Sequence, residues 1–451
     1  MYVVLLSGGS GKRLWPLSND LRSKQYIRLL TKERDSTPCS MVQRVWQQLE
    51  DAGLASQTVI CASAGQGEMI RTQLGKVPVA VEPERRNTFP AIALSCAFLK
   101  SNLGARDDDV VCILPVDPYT EAGYFSTLKK LEALIKADKA RIALMGSKPH
   151  EATGKYGYIV PGTFYDGYMS VQGFKEKPDT DTARALIKQG ALWNCGVFCM
   201  KIGEMLNRLP GYGLDMDYEA VYREYDKLPM ISFDHEVLEK TDRLAVVPFD
   251  GMWKDLGTWD VLTQEMSQTS LGNVIQQDCE NTHVINELNI PVVAIGLKDL
   301  VVVASFDGIL VTEKGFCANV KAVTAELGQF PMYEERRWGV LKTIDISEKD
   351  GKKTITRKIR IFDGMSSSYH YHNARDEVWT VLSGSATLLL EGLTLELHPG
   401  STICIRNGQK HAVKAHHDFE YMEIHMGEQV GNQDINRITF DWDAIPRAQL
   451  I

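Results

Sequence analysis

The sequence predicts an α/β domain with a mostly parallel sheet, then a small β-rich linking domain, then a C-terminal antiparallel β-barrel of the jelly-roll type. The length is the first reason, because 451 residues exceed the usual size of a single hydrophobic core. The second is that apolar runs alternate with helical stretches in the first part of the chain, which is typical of βαβ units. The third is a change to short, closely spaced strand patterns in the later residues.

The α/β domain is predicted over residues 1–265. It begins with Tyr2–Leu6, an apolar run that fits a buried parallel strand. Because ligands in such sheets bind beyond the carboxyl ends of the strands, the loop after this strand is a candidate binding site. The spacing of apolar residues predicts further strands at Thr58–Cys61, Val110–Pro115 and Arg141–Met145, and helices at Ala91–Leu99 and Ser126–Ala137.

The linking domain is predicted over residues 266–330 and the C-terminal domain over residues 331–451. In the C-terminal domain, Glu391-Gly392 is the predicted turn of a hairpin. The predicted strands of both domains are His283–Ile285, Val292–Ile295, Leu300–Ala304, Gly308–Val311, Lys353–Ile361, Val378–Leu382, Ala386–Leu390 and Leu393–Leu397.

Composition and charge exclude several classes of protein. A formal net charge of −8 argues against a broad nucleic-acid-binding face, so an anionic substrate has to be held by local cations. The nine cysteines are dispersed, without a Cys-x-x-Cys pair, and are expected to be reduced thiols. No leader peptide and no long apolar run is found, so we expect a soluble, cytoplasmic protein without a membrane or nucleic-acid partner.

A glycine-rich, basic loop follows the first strand directly. Gly8, Gly9 and Gly11 leave room for backbone N–H groups to approach a phosphate. Arg13 adds a fixed cation with several donors, and Lys24 a second, more mobile one. The loop has neither the Walker ending nor the Gly-x-Gly-x-x-Gly spacing. It is nevertheless typical of a nucleoside triphosphate site at the end of a strand.

Four later segments add polar groups to this loop. They are Glu82–Thr88, Leu114–Asp117, Phe174–Pro178 and Trp253–Trp259. With the loop, and in this order, they resemble the sugar-1-phosphate nucleotidyltransferases, and most closely the bacterial mannose-1-phosphate guanylyltransferases of the long, isomerase-fused type. Taken alone, Asp117 and Asp255 also fit caps of helices or turns, and Glu176-Lys177 also fits an exposed ion pair.

The resemblance implies a Rossmann-like nucleotidyltransferase domain that makes GDP-mannose and pyrophosphate from GTP and mannose 1-phosphate. Its implied catalytic residues are Arg13, Lys24, Asp117 and Asp255, with the two aspartates holding Mg²⁺. The implied nucleotide-binding residues are Leu6, Gly8, Gly9, Gly11, Glu82, Asn87 and Thr88, and the implied sugar-phosphate-binding residues are Gly157, Glu176, Lys177 and Asn194.

The C-terminal domain resembles the metal-binding cupins. Its motif is His370-x-His372-x4-Glu377, followed by His411. Three imidazoles and a carboxylate suit a divalent transition metal, which can be Zn, Mn, Fe, Co or Ni. In the fused family this domain is a type II mannose-6-phosphate isomerase, so mannose 6-phosphate is a further candidate substrate. A barrel with satisfied, metal-free histidines is the alternative.

Several residues depart from the pattern of the fused family and leave alternatives open. Ser23 stands before Lys24 in place of proline, which is expected to loosen that loop. Arg406, Ala412 and Ala415 replace residues that are common in the isomerases, as does the later segment Gly431–Ile435. One alternative is a nucleotidyltransferase for another sugar 1-phosphate or nucleotide. In another, the cupin is a non-catalytic binding or oligomerisation module. We expect the protein to form a homo-oligomer, namely a dimer.

Overall fold

A computed structural model of the chain describes residues 1–9, 12–19, 21–32, 37–327, 330–428, 430 and 434–446. By internal contacts the chain divides into two units. The first unit comprises Met1–Leu14, Ser23–Thr269 and Lys314–Ala318, and the second comprises Trp15–Arg22, Ser270–Glu313 and Asn319–Ile451. The three predicted domain boundaries stay a prediction.

The first unit is built from alternating strands and helices, as the apolar pattern predicts. Its strands are β1 Tyr2–Leu6, β2 Leu30–Thr31, β3 Pro38–Cys39, β4 Thr58–Ser63, β5 Val79–Glu82, β6 Val110–Pro115, β7 Pro118–Thr120, β8 Ile142–Ser147, β9 Tyr158–Tyr165, β10 Tyr168–Lys175, β11 Leu192–Lys201, β12 Leu244–Phe249 and β13 Trp253–Asp255. Its helices are α1 Met41–Asp51, α2 Gly67–Leu74, α3 Thr88–Leu103, α4 Ala122–Lys136, α5 Thr180–Lys188, α6 Ile202–Leu206, α7 Tyr218–Arg223, α8 Phe233–Glu236 and α9 Trp259–Gln264.

The main sheet of this unit has the order β5-β4-β1-β6-β11-β8-β12-β10-β9 within the described residues. The predicted α/β sheet is confirmed, and it is mixed. Strands β5, β4, β1 and β6 run parallel to one another. Strand β11 then lies antiparallel to both β6 and β8. Because β1 and β6 are parallel neighbours, the loops at their carboxyl ends lie at one edge of the sheet.

Helices pack on both faces of the sheet and fix these loops. Helix α3 is buried along most of its length, with Phe89, Ile92 and Leu99 fully inaccessible to solvent. It packs against α6, α7 and α8 as well as β4 and β5. Helix α4 packs against the opposite face of the sheet, where its Leu128 and Leu131 belong to a second apolar core. Since each large apolar side chain contributes about 1.5–3 kcal/mol on burial, these helices hold the strand ends rigidly.

Two cysteines of the first unit do not follow the sequence prediction. Cys112 on β6 and Cys199 on β11 are opposite each other in the antiparallel register. Their Cα atoms are 4.2 Å apart and their sulfur atoms form a disulfide. The expectation that all nine cysteines are reduced is therefore wrong for this pair. The strand pairing that brings these residues together is a long-range contact, which the dispersed spacing of the cysteines does not reveal.

Residues 270–313 of the second unit form small, mostly parallel sheets. Strands β14 Ser270–Leu271, β15 Val274–Gln277, β16 His283–Asn286, β17 Val292–Ile295, β18 Leu300–Ser305 and β19 Gly308–Glu313 precede α10 Val320–Thr324. Strands β14, β16 and β18 form one parallel ladder, and β15 and β17 form another. Val284, Ala294 and Val302 pack between them. The four predicted strands of the linking region are confirmed.

The remaining strands form two antiparallel sheets. They are β20 Tyr333–Arg336, β21 Gly339–Lys349, β22 Lys352–Ile361, β23 Tyr369–Tyr371, β24 Arg375–Ser383, β25 Ala386–Leu390, β26 Leu393–Leu397, β27 Thr402–Ile405, β28 His411–Ala415, β29 Phe419–Gly427 and β30 Asn436–Thr439. One sheet has the order β20-β21-β22-β29-β24-β27 and the other β26-β25-β28-β23-β30. Residues of both sheets, such as Ile359, Trp379 and Leu388, share one apolar core.

The predicted hairpin of the antiparallel region is confirmed. Strands β25 and β26 pair through Leu390 and Leu393. The turn residues Glu391 and Gly392 both have positive φ, 50° and 79°. This is the backbone that a two-residue turn between twisted strands requires. In the part of the chain described here, no helix is long and apolar enough to cross a membrane.

Candidate active site

A carboxylate pair lies at the edge of the sheet predicted to bind ligand. Asp117 lies two residues after the end of β6, and Asp255 is the last residue of β13. Strands β7 and β13 pair antiparallel and place Asp255 opposite Pro118, so residues far apart in the chain become neighbours. Lys24 Nζ donates to Asp117 Oδ2 at 2.7 Å and lies 4.0 Å from Asp255 Oδ1. The structure therefore brings together three of the four predicted catalytic residues.

The fourth predicted catalytic residue, Arg13, reaches the same place. A Cβ atom on Gly257 would lie 3.2 Å from Arg13 Nη1 and 3.1 Å from Asp255 Oδ2. The guanidinium and the carboxylate thus flank Gly257, which has to be small. Two cations and two carboxylates form one cluster, so the cations that an anionic substrate needs lie next to carboxylates that can bind a metal ion.

Burial and charge act against each other in this cluster. Burial lowers and the two carboxylates raise the pKa of Lys24, and the net direction is upward. Burial would raise the pKa of Asp117, but the charge of Lys24 holds it below its usual value. Burial, and then repulsion from Asp117, raise the pKa of Asp255. Asp117 is therefore stabilised as an anion, whereas Asp255 has too little positive charge near it to be stabilised in the same way.

The two aspartates fit a hard divalent cation. Asp255 Oδ1 is buried and has no hydrogen-bond partner among the described residues. A buried carboxylate oxygen that lacks a hydrogen bond and lies beside a second carboxylate is costly, and a bound divalent cation would offset this cost. Ions such as Mg²⁺ prefer carboxylate oxygens together with water.

A cavity of about 220 Å³ adjoins the carboxylate pair. Gly157 lies beneath Glu176, because a Cβ atom on Gly157 would meet Glu176 Oε2 at 2.5 Å. The Asn194 backbone N–H donates to the Gly157 carbonyl at 2.8 Å, and Asn194 Nδ2 donates to Asp234 Oδ1 at 2.9 Å. The lining of the cavity includes Leu6, Thr88, Asp117, Lys155, Tyr156, Glu176, Lys177, Asn194, Asp234, Trp253 and Asp255.

Lys177 is an exposed cation of this cavity. Its side chain is 58% exposed and pairs with Glu176, which is mostly buried. Its φ of 41° is in the left-handed region, which turns the chain sharply after β10. An exposed ammonium group of this kind is free to contact a phosphate at the mouth of the cavity.

Of the predicted nucleotide-binding residues, Leu6 and Thr88 line the cavity, and Glu82 lies against the glycine loop. Glu82 Oε2 lies where a Cβ atom on Gly8 would be, so Gly8 is needed for close approach. Glu82 Oε1 accepts a hydrogen bond from the Tyr225 hydroxyl at 2.9 Å. The Asn87 side chain accepts from the Thr88 N–H at 2.8 Å and so begins α3. Gly9 has open space beside it, while Gly11 lies outside the described residues.

Glu82 gives the fold a pH dependence. Burial raises the pKa of Glu82 to about 7 from 4.5. The folded protein keeps this proton where the unfolded chain loses it, so stability falls by up to about 3 kcal/mol as the pH rises through this range. We expect Glu82→Gln to remove that slope in urea unfolding. Glu84→Gln, at an exposed neighbour, is the control; parallel wild-type and Glu82→Gln profiles would contradict the assignment.

Ser23 does not loosen the loop of Lys24 as expected. It is fully buried, and its hydroxyl accepts a hydrogen bond from Gln66 Nε2 at 2.8 Å. The Ser23 carbonyl also accepts from the Tyr26 N–H at 3.1 Å, which forms the short turn Lys24–Tyr26. These hydrogen bonds hold the backbone in place, as the ring of a proline at this position would.

Asp234 and Lys155 line the cavity but are absent from the predicted site. Burial, and then the nearby charge of Glu176, raise the pKa of Asp234 to about 6. The residue lies on the four-residue helix α8, where the N–H of Phe233 donates to Thr88 Oγ1. The signal in the sequence was weak, because Asp234 is one acidic residue among several in a polar segment.

A second candidate site lies in the C-terminal sheets. One ring nitrogen from each of His370, His372 and His411 lies within 4.8 Å of the other two. Each Nδ1 is bonded to a backbone carbonyl, of Ser368 at 2.7 Å, Asp434 at 2.8 Å and Gln409 at 3.0 Å. Because a carbonyl only accepts, each Nδ1 carries the proton and each Nε2 presents a lone pair. Such anchoring is typical of histidines that bind a metal.

Glu377 lies beside these imidazoles, as predicted. Its carboxylate is 2.9 Å from His372 Nε2, and it accepts from Arg375 Nε at 3.0 Å and Trp379 Nε1 at 3.1 Å. Burial holds the pKa of His411 below its usual value, so this imidazole is neutral, as a metal ligand must be. Its Nε2 has no hydrogen-bond partner in the described part of the chain. The predicted four-residue set is thus assembled and fits a divalent transition metal.

This arrangement is typical of nucleotide-dependent transferases. It combines an α/β sheet with a glycine loop, two cations and paired carboxylates at one edge of the sheet. The nucleotidyl transferase family matches residues 2–270, and the mannose-6-phosphate isomerase C-terminal family matches residues 329–440. The chain therefore belongs to the nucleotidyl transferases, and among them to the long mannose-1-phosphate guanylyltransferase type with a C-terminal isomerase-like domain.

Individual relatives agree with this assignment. The chain is 31% identical to the xanthan biosynthesis protein XanB of Xanthomonas campestris pv. campestris (strain B100), covering 96% of this chain and 97% of that protein. It is 30% identical to mannose-1-phosphate guanylyltransferase ManC of Salmonella typhimurium, with 97% of each covered. A crystal structure named mannose-1-phosphate geranyltransferase, from Thermus thermophilus, matches with TM-score 0.62 and 26% identity, over 73% of this chain and 99% of that one.

Proposed function

We propose that the first unit transfers a guanylyl group from GTP to mannose 1-phosphate, giving GDP-mannose and pyrophosphate. The observation that carries the proposal is the position of Lys24 between Asp117 and Asp255, next to the cavity with Glu176 and Asn194. The full-length similarity to ManC supports the choice of substrates. Because GTP is made inside cells, we also place the reaction in the cytoplasm.

The reaction requires positioning and charge rather than a covalent intermediate. A phosphate oxygen of mannose 1-phosphate bonds to the α-phosphorus of GTP, and the bond from that phosphorus to the β-phosphate oxygen breaks in line. Lys24 neutralises charge at the α-phosphate, and Arg13 contacts the departing pyrophosphate. Both cations are already in place, so little reorganisation is needed when charge develops.

The other site residues hold the two substrates. Glu176, Asn194 and the Gly157 backbone contact sugar hydroxyls, and Lys177 contacts the sugar phosphate. Leu6, Gly8 and Gly9 support the triphosphate, and Glu82, Asn87 and Thr88 contribute to the nucleoside pocket. Asp117 and Asp255 would hold Mg²⁺, which when bound supplies positive charge to the phosphate oxygens.

A panel of nucleoside triphosphates with mannose 1-phosphate tests this proposal. We expect pyrophosphate release with GTP to exceed that with ATP, CTP, UTP and dTTP. The same panel with glucose 1-phosphate in place of mannose 1-phosphate tests the sugar. Faster release with another nucleotide, or with the other sugar, would contradict the guanylyl or mannose assignment and favour the alternative transferase.

Lys177→Ala is expected to raise the KM for mannose 1-phosphate by about tenfold, with a small effect on the KM for GTP. The reason is that this exposed cation lies at the sugar side of the cavity, where it pairs with Glu176. Steady-state kinetics with each substrate varied in turn measures the effect. Lys188→Ala, at the exposed end of α5, is the matched control. A rise confined to the KM for GTP would refute the sugar-phosphate role.

The anchored imidazoles favour a second activity in the C-terminal domain. We propose that it interconverts mannose 6-phosphate and fructose 6-phosphate, with a divalent metal held by His370, His372, Glu377 and His411. The protein stripped of metal and then given Mn²⁺, Zn²⁺ or Co²⁺ is incubated with mannose 6-phosphate. Fructose 6-phosphate is the expected product. If no metal restores any product, the domain is a binding or oligomerisation module.

A further inference from the structure

A second group of buried ligand-type side chains lies next to the histidine triad. Glu377 on β24 is directly opposite His425 on β29, and Glu423 lies two residues earlier on the same face of β29. His425 Nε2 is 2.7 Å from Glu423 Oε2 and 3.2 Å from Glu377 Oε1. The side chains of Glu377, Glu423 and His425 are only 2%, 8% and 2% exposed. Their ligand atoms all lie within 4.8 Å of one another.

Not every polar atom of this group has a hydrogen-bond partner among the described residues. Arg375 donates to Glu377 and to His372 Nε2, the latter at 3.1 Å, and so accounts for one negative charge. His425 Nδ1 is buried without a hydrogen-bond partner in the described ranges. Unlike the three histidines of the triad, His425 therefore has no anchor on its far nitrogen. Its Nε2, which lies close to both carboxylates, also has no hydrogen-bond partner among the described residues, and such a buried group is costly unless a cation binds there.

We propose that Glu377, Glu423 and His425 hold a second divalent transition-metal ion. The set offers two carboxylates and one imidazole, a mixture that suits Mn, Fe, Co or Zn. Glu377 is shared with the triad of His370, His372 and His411, so the two ions form a pair bridged by one carboxylate. The inference rests on the metal site proposed above, because it uses Glu377 in both. It does not depend on the transferase reaction.

Counting bound Co²⁺ in the full chain tests the proposal. The Asp255→Asn protein serves as the parent, so that ions at the transferase carboxylates are not counted. After metal removal, loading and desalting, elemental analysis is expected to give two Co²⁺ per chain. His425→Gln and the gentler Glu423→Gln are each expected to give one. His411→Gln is expected to give one as well, because it affects only the triad.

Two results would overturn the proposal: a parent that binds a single Co²⁺, or a His425→Gln protein with the parent's full count. Loss of all Co²⁺ in both His425→Gln and His411→Gln would also overturn it, since the residues would then share one ion. His416→Gln, at an exposed histidine of the same domain, controls for loss of any imidazole. Urea unfolding followed by tryptophan fluorescence shows whether the domain of His425→Gln folds, and pyrophosphate release, measured with Asp255 intact, reports separately on the transferase.

Discussion

Asp255→Asn is expected to lower the rate of pyrophosphate release by about 10²–10³-fold while leaving the fold intact. The amide removes a negative charge from the pair that faces Lys24 and would hold Mg²⁺. Stability should not fall, because burial and repulsion from Asp117 already disfavour the charged form of Asp255. Asp117→Asn is expected to act similarly on turnover. Initial rates at saturating GTP and mannose 1-phosphate, together with thermal unfolding, measure both effects.

Asp250→Asn is a matched control for this experiment. It makes the same chemical change at an exposed position in the loop just before β13. We expect its turnover to equal that of the wild type. If Asp255→Asn also kept near-normal turnover, the carboxylate pair would have no role in transfer, and the proposed site would have to be abandoned.

Glu377→Ala is expected to destabilise the C-terminal domain by about 3–5 kcal/mol in the metal-free protein. The carboxylate is buried and contacts Arg375, His372, His425 and Trp379. Its removal leaves the guanidinium of Arg375 buried next to imidazoles, without its anionic partner. Urea unfolding followed by the fluorescence of Trp379 and the other tryptophans measures the loss.

Glu396→Ala provides the comparison for Glu377→Ala. Glu396 is about half exposed and contacts His416 and Thr387 at the surface of β26. A surface contact of this kind is worth about 0–1 kcal/mol. Equal, small effects of the two substitutions would show that the charges around Glu377 are solvated and that the domain has no closed polar interior.

Apolar runs predicted the strands of this protein well because burial is a local property of the sequence. Val110–Pro115 was predicted with the bounds that the structure shows, and so was Val292–Ile295. The direction of a strand is not local. Nothing in Leu192–Lys201 indicates that β11 enters the sheet antiparallel between β6 and β8. For the same reason, the bond between Cys112 and Cys199 could not be predicted from their spacing.

The candidate site was predictable where its residues form short motifs. Asp117 and Asp255 both stand beside strand patterns, and the structure places them together. Glu423 and His425 were missed because they have no motif of their own. A signal was present, however, in the alternation of β29. Phe419 and Tyr421 are buried positions of this strand, and the next two positions on the same face are polar. Buried polar residues at an apolar period indicate a functional interior.

The pairing of β7 with β13 has a consequence for how the enzyme is made. Asp117 is translated early, whereas Asp255 is translated only near the end of the first unit. The two-stranded sheet of β7 and β13 forms when both strands are present. Domains fold largely as units during synthesis. A nascent chain that stops before Trp253 therefore lacks Asp255, one of the two carboxylates that we propose to hold Mg²⁺. If Asp255 has the proposed role, nucleotide turnover reports on complete assembly of the first unit, and we expect unfinished chains not to consume GTP.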